Sequence, residues 1–262
     1  MFSYVWNAVL YKPLLNALAF LVSVIPGGDV GIAVILLTIL VKIILFPLSQ
    51  KSIESQAAMN ILAPELDKIK KSGVNREEQA KLTFELYKKY KTNPFSGCLI
   101  QIPIIIILIA LYYVFYKGIN FDNGLLYSFI QAPEHINMIF LGLIDLSKKS
   151  LILALLAGVS QYFQAYFMPQ PPVGAAKTGS FQESFTKSMS MQMKYVFPFL
   201  IAFFSYQISG AIALYWITSN VFMIGQQIYV SKMKKADLFQ DLGIKVDLVK
   251  DGPLGNSLKD RP

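Results

Sequence analysis

The sequence predicts an all-α polytopic membrane protein: five transmembrane helices, with a helical hairpin on the cytoplasmic side. Composition is the first observation. Of 262 residues, 54% are hydrophobic and only 15% charged, and the mean hydropathy is +0.48. Soluble domains carry considerably more charge. Second, five runs of about 20 mostly apolar residues, the length a helix needs to cross hydrocarbon, lie at roughly 30–48, 97–117, 150–168, 193–209 and 211–230. Third, the basic residues are unevenly placed. Nine Lys/Arg fall between Lys51 and Lys91 and seven follow Ser231, whereas the segment between the second and third runs holds only Lys117, Lys148 and Lys149. Positive charge marks cytoplasmic loops, so the N-terminus is expected outside and the C-terminus inside. The net charge of +8 is then a topology signal, and no nucleic-acid partner is expected.

Taken in order, residues 1–28 are apolar but interrupted by Lys12-Pro13, leaving a stretch short for a span before Pro26. They lack the basic start and small-residue cleavage site of a secretory signal. An amphipathic helix lying in the outer interface is predicted, anchored by Tyr4, Trp6 and Tyr11. The first transmembrane helix follows at 29–49. Residues 50–92 then carry two apolar stripes at helical spacing, Leu62, Leu66, Ile69 and Leu82, Leu86, Tyr90, separated by SGVN. Asn75 with Glu78 three residues on is a capping signal, so a cytoplasmic helical hairpin is expected.

Four further transmembrane helices occupy 93–231, with an outer loop at 118–149 and a Pro-, Gly- and Ser-rich cytoplasmic loop at 169–192. The last two are joined so tightly around ISGAI that the chain must turn at Ser209-Gly210. The tail, 232–262, mixes both signs of charge with Gly and Pro and is expected to be disordered. No internal repeat is evident, which weakens a transporter built from duplicated halves.

Lys42 is the anomaly. It sits near the middle of ILLTILVKIILFPLSQK, where a lysine costs roughly 2.5–3.5 kcal/mol on insertion scales. Carboxylates are absent from the interior of the spans; Asp29 and Asp145 lie at outer edges. The single cysteine, Cys98, excludes an internal disulfide and a cysteine-based metal site, and the single histidine, His135, falls in the outer loop. There is no metal-ligand cluster, paired acid and base or phosphate loop, so neither an enzyme nor a cofactor is expected.

Uncharged polar residues recur at helical spacing instead. Thr38 precedes Lys42 by four, Gln101 follows Cys98 by three, and Gln161 and Gln164 are three apart. Trp216, Asn220 and Gln227 share a stripe, with Ser219 beside it. Singly, each reads as interhelical hydrogen bonding, worth about 0.6–2 kcal/mol. Four spans with polar faces and one unpaired cation point further, to a wet cavity in which water solvates Lys42.

Four stretches carry a family resemblance: KIILFPLSQKSIESQAAM, APELDKIKK, YKKYKTNPFSGCLIQIPI and SGAIALYWITSNVFMIGQQ. Their order and spacing resemble the YidC membrane protein insertases and their Oxa and Alb relatives, over roughly residues 2–233. The resemblance implies five helices around a hydrophilic groove open to the cytoplasm and to lipid, and sealed outside. It implies nascent membrane proteins as substrates, membrane lipids as surroundings, no cofactor, and action as a monomer. The Sec translocon and the ribosome are further implied partners. The position of Lys42 matches a basic groove residue, more often arginine, with Thr38 one turn before it. Tyr215 and Trp216 match an aromatic pair bordering the groove, Asn220 follows them one turn on, and Gln164 matches a groove-lining glutamine. Ile102, Ile105 and Phe203 match an apolar slide that contacts substrate. The loop at 118–149 is too short for the large outer domain of some relatives, so none is expected there.

The expected function is therefore insertion of new membrane proteins into a bacterial cytoplasmic membrane. A small-solute channel or transporter using the same cavity is the alternative, and an assembly scaffold without an open groove is a third.

Overall fold

A computed structural model describes residues 6–89, 106–107, 109–110, 112–114, 121, 124–168, 188 and 191–233. The architecture is mostly helical. A π-helical turn, Asn7–Tyr11, runs without a break into α1, Lys12–Val24. The expected interruption at Lys12-Pro13 does not occur. The Lys12 N–H reaches back five residues to Asn7 O. This widened turn makes room for the proline ring, which otherwise strikes the carbonyl four residues earlier.

A turn through Pro26–Gly28 leads into α2, Val30–Ile44. Asp29 caps it, Oδ1 accepting from Gly31 N at 2.7 Å and Ile32 N at 3.1 Å, as acidic N-caps do. The helix stops before the predicted end of the first span. Past Leu45 the chain bends by 61° and resumes as α3, Phe46–Lys71. Pro47 has no N–H and its ring opposes straight continuation, which places the bend. The hairpin predicted from residue 50 thus springs from the bend itself.

From α3 the chain returns through α4, Arg76–Lys89. Asn75 Oδ1 accepts from the Glu78 N–H at 2.8 Å and caps α4 as expected. Leu62, Leu66 and Leu86 form the hairpin's small core, with Ile69 and Tyr87 packed against them. Leu82, assigned to this stripe by spacing, is exposed; Tyr87 fills the place beside Leu86. Tyr90 lies outside the described residues.

Three more helices complete the described bundle: α5, Leu151–Phe167, α6, Phe197–Gln207, and α7, Gly210–Met233. A second π turn, Gln192–Val196, again precedes a proline, Pro198. Helix α5 lies against α6 and α7, and α7 also against α2. At Gly158 a Cβ would meet Ala202 Cβ and Pro198 O at 2.9 Å, the close small-residue approach that membrane helices favour. The chain turns at Ser209 as predicted. There the segment before α5 caps α7: Gly210 N–H donates to Lys148 O at 2.9 Å and Ala211 N–H to Leu146 O at 3.2 Å.

The loop predicted at 118–149 holds a small hairpin, β1, Ile139–Phe140, and β2, Ile144–Asp145. Its earlier part is tied to α1 by the buried Asn16, which donates to Leu125 O at 3.1 Å and accepts from Tyr127 N–H at 2.7 Å. The main core joins Leu15, Leu18 and Val22 of α1 to Val34 and Leu37 of α2, with Ala110, Val114 and Tyr215.

Among the described residues, Asn7–Val24 is the one helix long and apolar enough by itself to cross a membrane. Helix α2 and the start of α3 pass together as a bent pair, and Leu151–Phe167 is apolar but shorter. Helix α7 has the length, but Thr218, Ser219, Asn220, Gln226 and Gln227 dilute its apolar character. Fewer self-sufficient spans therefore appear than the five runs predicted. Most of 93–120, most of the loop 169–192 and the tail beyond 233 lie outside the described residues.

Candidate functional site

Helix α7 organises the polar interior because it presents two stripes rather than one. Trp216 and Asn220 face α5. The Trp216 indole N–H donates to Gln161 Oε1 at 2.8 Å, and Gln161 Nε2 donates onward to Gln164 Oε1 at 3.0 Å. Asn220 Nδ2 donates to Ser160 Oγ at 3.0 Å, and that hydroxyl donates to Ala157 O at 2.8 Å. The i to i+4 spacing puts both α7 residues on one face, and Ser160, Gln161 and Gln164 answer from the facing helix. The two buried members, Gln161 and Asn220, each have a partner, as buried polar groups require.

Tyr215, Ser219 and Gln226 form the second stripe, and all three are buried. Tyr215 joins the apolar core with Leu37 and Val34 of α2. Gln226 reaches the bend, donating to Ser49 Oγ at 2.6 Å and Phe46 O at 3.3 Å. Tyr215 and Trp216 are neighbours in sequence yet serve different helix contacts, because successive side chains diverge around a helix.

Lys42 belongs to the buried face of α2, together with Val34, Leu37 and Thr38. It is 7% exposed. Thr38 does not serve it: the Thr38 hydroxyl donates to Val34 O of its own helix at 2.6 Å. Asp29 and Asp145 are committed elsewhere, Asp29 to the α2 cap and Asp145 to Ser147 and Lys148. Among the described residues, none pairs with the Lys42 ammonium.

Residues 21–237 match the family of 60Kd inner membrane proteins. The chain belongs to that family. It is 35% identical to a membrane protein insertase YidC of Clostridium tetani, over 82% of this chain and 89% of that protein. It is 33% identical to the YidC of Vesicomyosocius okutanii, over 86% of this chain and 36% of the relative. With the YidC of Hahella chejuensis the identity is 30%, over 87% of this chain and 35% of the relative. The chain thus spans most of the clostridial relative and about a third of the two longer ones. The channel or transporter alternative finds no support in these relatives.

Of the residues that the YidC resemblance assigns to a groove, Gln164, Trp216 and Asn220 meet in one interface between α5 and α7, through Gln161 and Ser160. Lys42 and Thr38 share the α2 face, and Tyr215 packs on that helix's core. Phe203 stands apart on the outer face of α6, 57% exposed. Ile102 and Ile105, with Gln101, lie outside the described residues. Sequence reasoning missed Ser160, Ser49 and Gln226. It chose Gln227, which is only half-buried, over Gln226; the register from Ser219, seven residues earlier, marks the right member of the pair.

Proposed function

We propose that this chain is a membrane protein insertase of the bacterial cytoplasmic membrane. A positively charged, hydrated groove open to the cytoplasm receives a newly made membrane protein. Its short polar end is drawn across while its apolar segment slides into lipid along Ile102, Ile105 and Phe203. The activity makes and breaks no covalent bond. Lys42 carries the reading. A buried ammonium on an apolar helix is costly, and no described carboxylate neutralises it. Water in a groove offsets that cost and leaves the charge free to attract acidic segments.

In this reading five helices span: α2, the 97–117 segment, α5, α6 with its π turn, and α7. The N-terminus lies outside and the C-terminus inside, following the lysine asymmetry. Residues 1–28 lie in the outer interface, α3 and α4 form the cytoplasmic hairpin, and the tail is disordered. The chain works as a monomer, with nascent membrane proteins as substrates and the Sec translocon and ribosome as accessory partners.

Reconstitution tests this reading. Purified chain in liposomes is expected to insert a short single-span protein with an acidic outer end. Liposomes with and without the chain inserting it equally would reject the reading, and a pure scaffold would give that result.

A further inference from the structure

The outer β-hairpin carries apolar residues on both faces, with Asp145 the one charged residue in its strands. Its strands pair Ile139 with Asp145 and Phe140 with Ile144. The inner face is accounted for: Phe140 lies against Gly31 of α2, and Phe140 and Ile144 pack on the cluster around Leu146, Leu153 and Leu214. Antiparallel strands with one buried face ordinarily turn polar residues outward. Here Asp145, opposite Ile139 and held by Ser147 and Lys148, is the one outward polar residue of the strands; Ile139, Leu141 and Leu143 towards the tip are 48%, 60% and 82% exposed.

The turn adds a second, independent observation. Leu141 has φ 51° and Gly142 φ 72°, and the Leu143 N–H donates to Phe140 O at 2.9 Å. Positive φ at both central residues is the type I′ pattern, which favours Asn-Gly, Asp-Gly or Gly-Gly. A leucine there pays roughly 1–2 kcal/mol for its left-handed backbone. Asp29 holds the strained residue in place, its Oδ2 accepting from the Leu141 N–H at 2.8 Å. Strain kept at an exposed apolar tip points to a use for the side chain.

We propose that this tip is a lipid-contact element, with Leu141 and Leu143 seated in the outer leaflet. Lipid is favoured as the occupant because of where the hairpin is fixed. Asp29 begins α2, Leu146 O caps α7, and α5 starts a few residues on. The first turns of α5 expose Leu151, Ile152, Leu155 and Leu156, so the apolar tip stands at the same end of the bundle as other outward-facing apolar side chains. Leucines at a helix end gain by entering the acyl boundary. The seated tip anchors the outer loop over the ends of α2 and α7. This inference rests on the proposed orientation, with residues 118–149 outside.

The test uses the full chain carrying Cys98→Ser, with one new cysteine at Leu143 or, as reference, at the exposed Glu134 of the same loop. Each carries an environment-sensitive fluorophore in phospholipid vesicles made with or without acyl-brominated lipid. The Leu143 label is expected to emit at shorter wavelength and lose most of its emission to brominated lipid, while the Glu134 label loses little. A Leu143 label as open to an aqueous quencher as the Glu134 label, and untouched by brominated lipid, overturns the proposal. Shielding from both water and lipid also overturns it, because protein, from this chain or a second copy, then covers the tip. Impermeant labelling of Glu134→Cys in intact cells reads the orientation separately; failure to label there sinks the topology, whatever the lipid result.

Discussion

Gln226 of α7 donates its side-chain amide to the Ser49 hydroxyl at 2.6 Å, across 177 positions of sequence. The same amide reaches Phe46 O at 3.3 Å, and Ser49 Oγ also donates to Leu45 O and Phe46 O. Tyr229 meets the Phe46 ring edge-on, with centroids 6.2 Å apart. The bend from which the α3–α4 hairpin springs is therefore latched to α7, the helix that carries the polar stripes.

Gln226→Ala removes that latch. The Ser49 hydroxyl keeps its own carbonyl partners, so the expected stability loss is modest, about 1–2 kcal/mol. The larger effect is expected in geometry: distances between spin labels on α4 and α7 should broaden while helix content holds. An unchanged distance distribution would mean that Pro47 alone fixes the bend.

Two glycines are expected to respond with opposite sign. A Cβ on Gly31 would lie 2.2 Å from Phe140 Cδ2, whereas a Cβ on Gly225 meets nothing within 4 Å. Gly31→Ala should cost about 1–3 kcal/mol through overpacking and make the outer loop easier to cleave by protease. Gly225→Ala should be neutral or stabilise by about 0.5–1 kcal/mol, because alanine is the better helix former. Thermal unfolding in detergent separates the pair; equal effects would contradict the packing of Phe140 on α2.

Asp145 supplies a pH signature for the loop between β2 and α5. Hydrogen bonds from Ser147 and Lys148 lower its pKa from 3.8 to about 2. A folded-state value below the unfolded one stabilises while the carboxylate is charged, so the contribution is complete above about pH 4 and is lost as pH falls through about 2. Hydrogen exchange of residues 145–148 should be flat from neutrality to about pH 4 after correction for intrinsic rates, then rise. In Asp145→Asn that acid-side rise should disappear.

Much of this was legible from local chemistry. The turn at Ser209-Gly210 and the Asn75 cap follow from residue types that leave few alternatives. What was misread depended on tertiary context. Pro13 and Pro47 both sit in apolar runs, and the sequence placed the break at Pro13 and ran the span through Pro47. The structure reverses them, because a π turn absorbs Pro13 whereas Pro47 bends the chain. Gln226 and Gln227 each continue one polar stripe, seven residues after Ser219 and Asn220 respectively, and the bend across the interface shows that the Ser219 stripe is the one that meets it. The outer hairpin was invisible because two-residue strands are too short to show alternation.

The central claim is that Lys42 acts as a groove charge rather than as a brace between helices. The direct measurement is an insertion assay on Lys42→Arg, Lys42→Ala and Lys42→Glu, using paired substrates that differ only in the charge of the translocated end, with thermal stability measured alongside. Lys42→Arg should retain most activity. Lys42→Ala should impair the acidic substrate more than the neutral one, and Lys42→Glu should be worst. Equal defects for both substrates, tracking lost stability across the three variants, would contradict the claim.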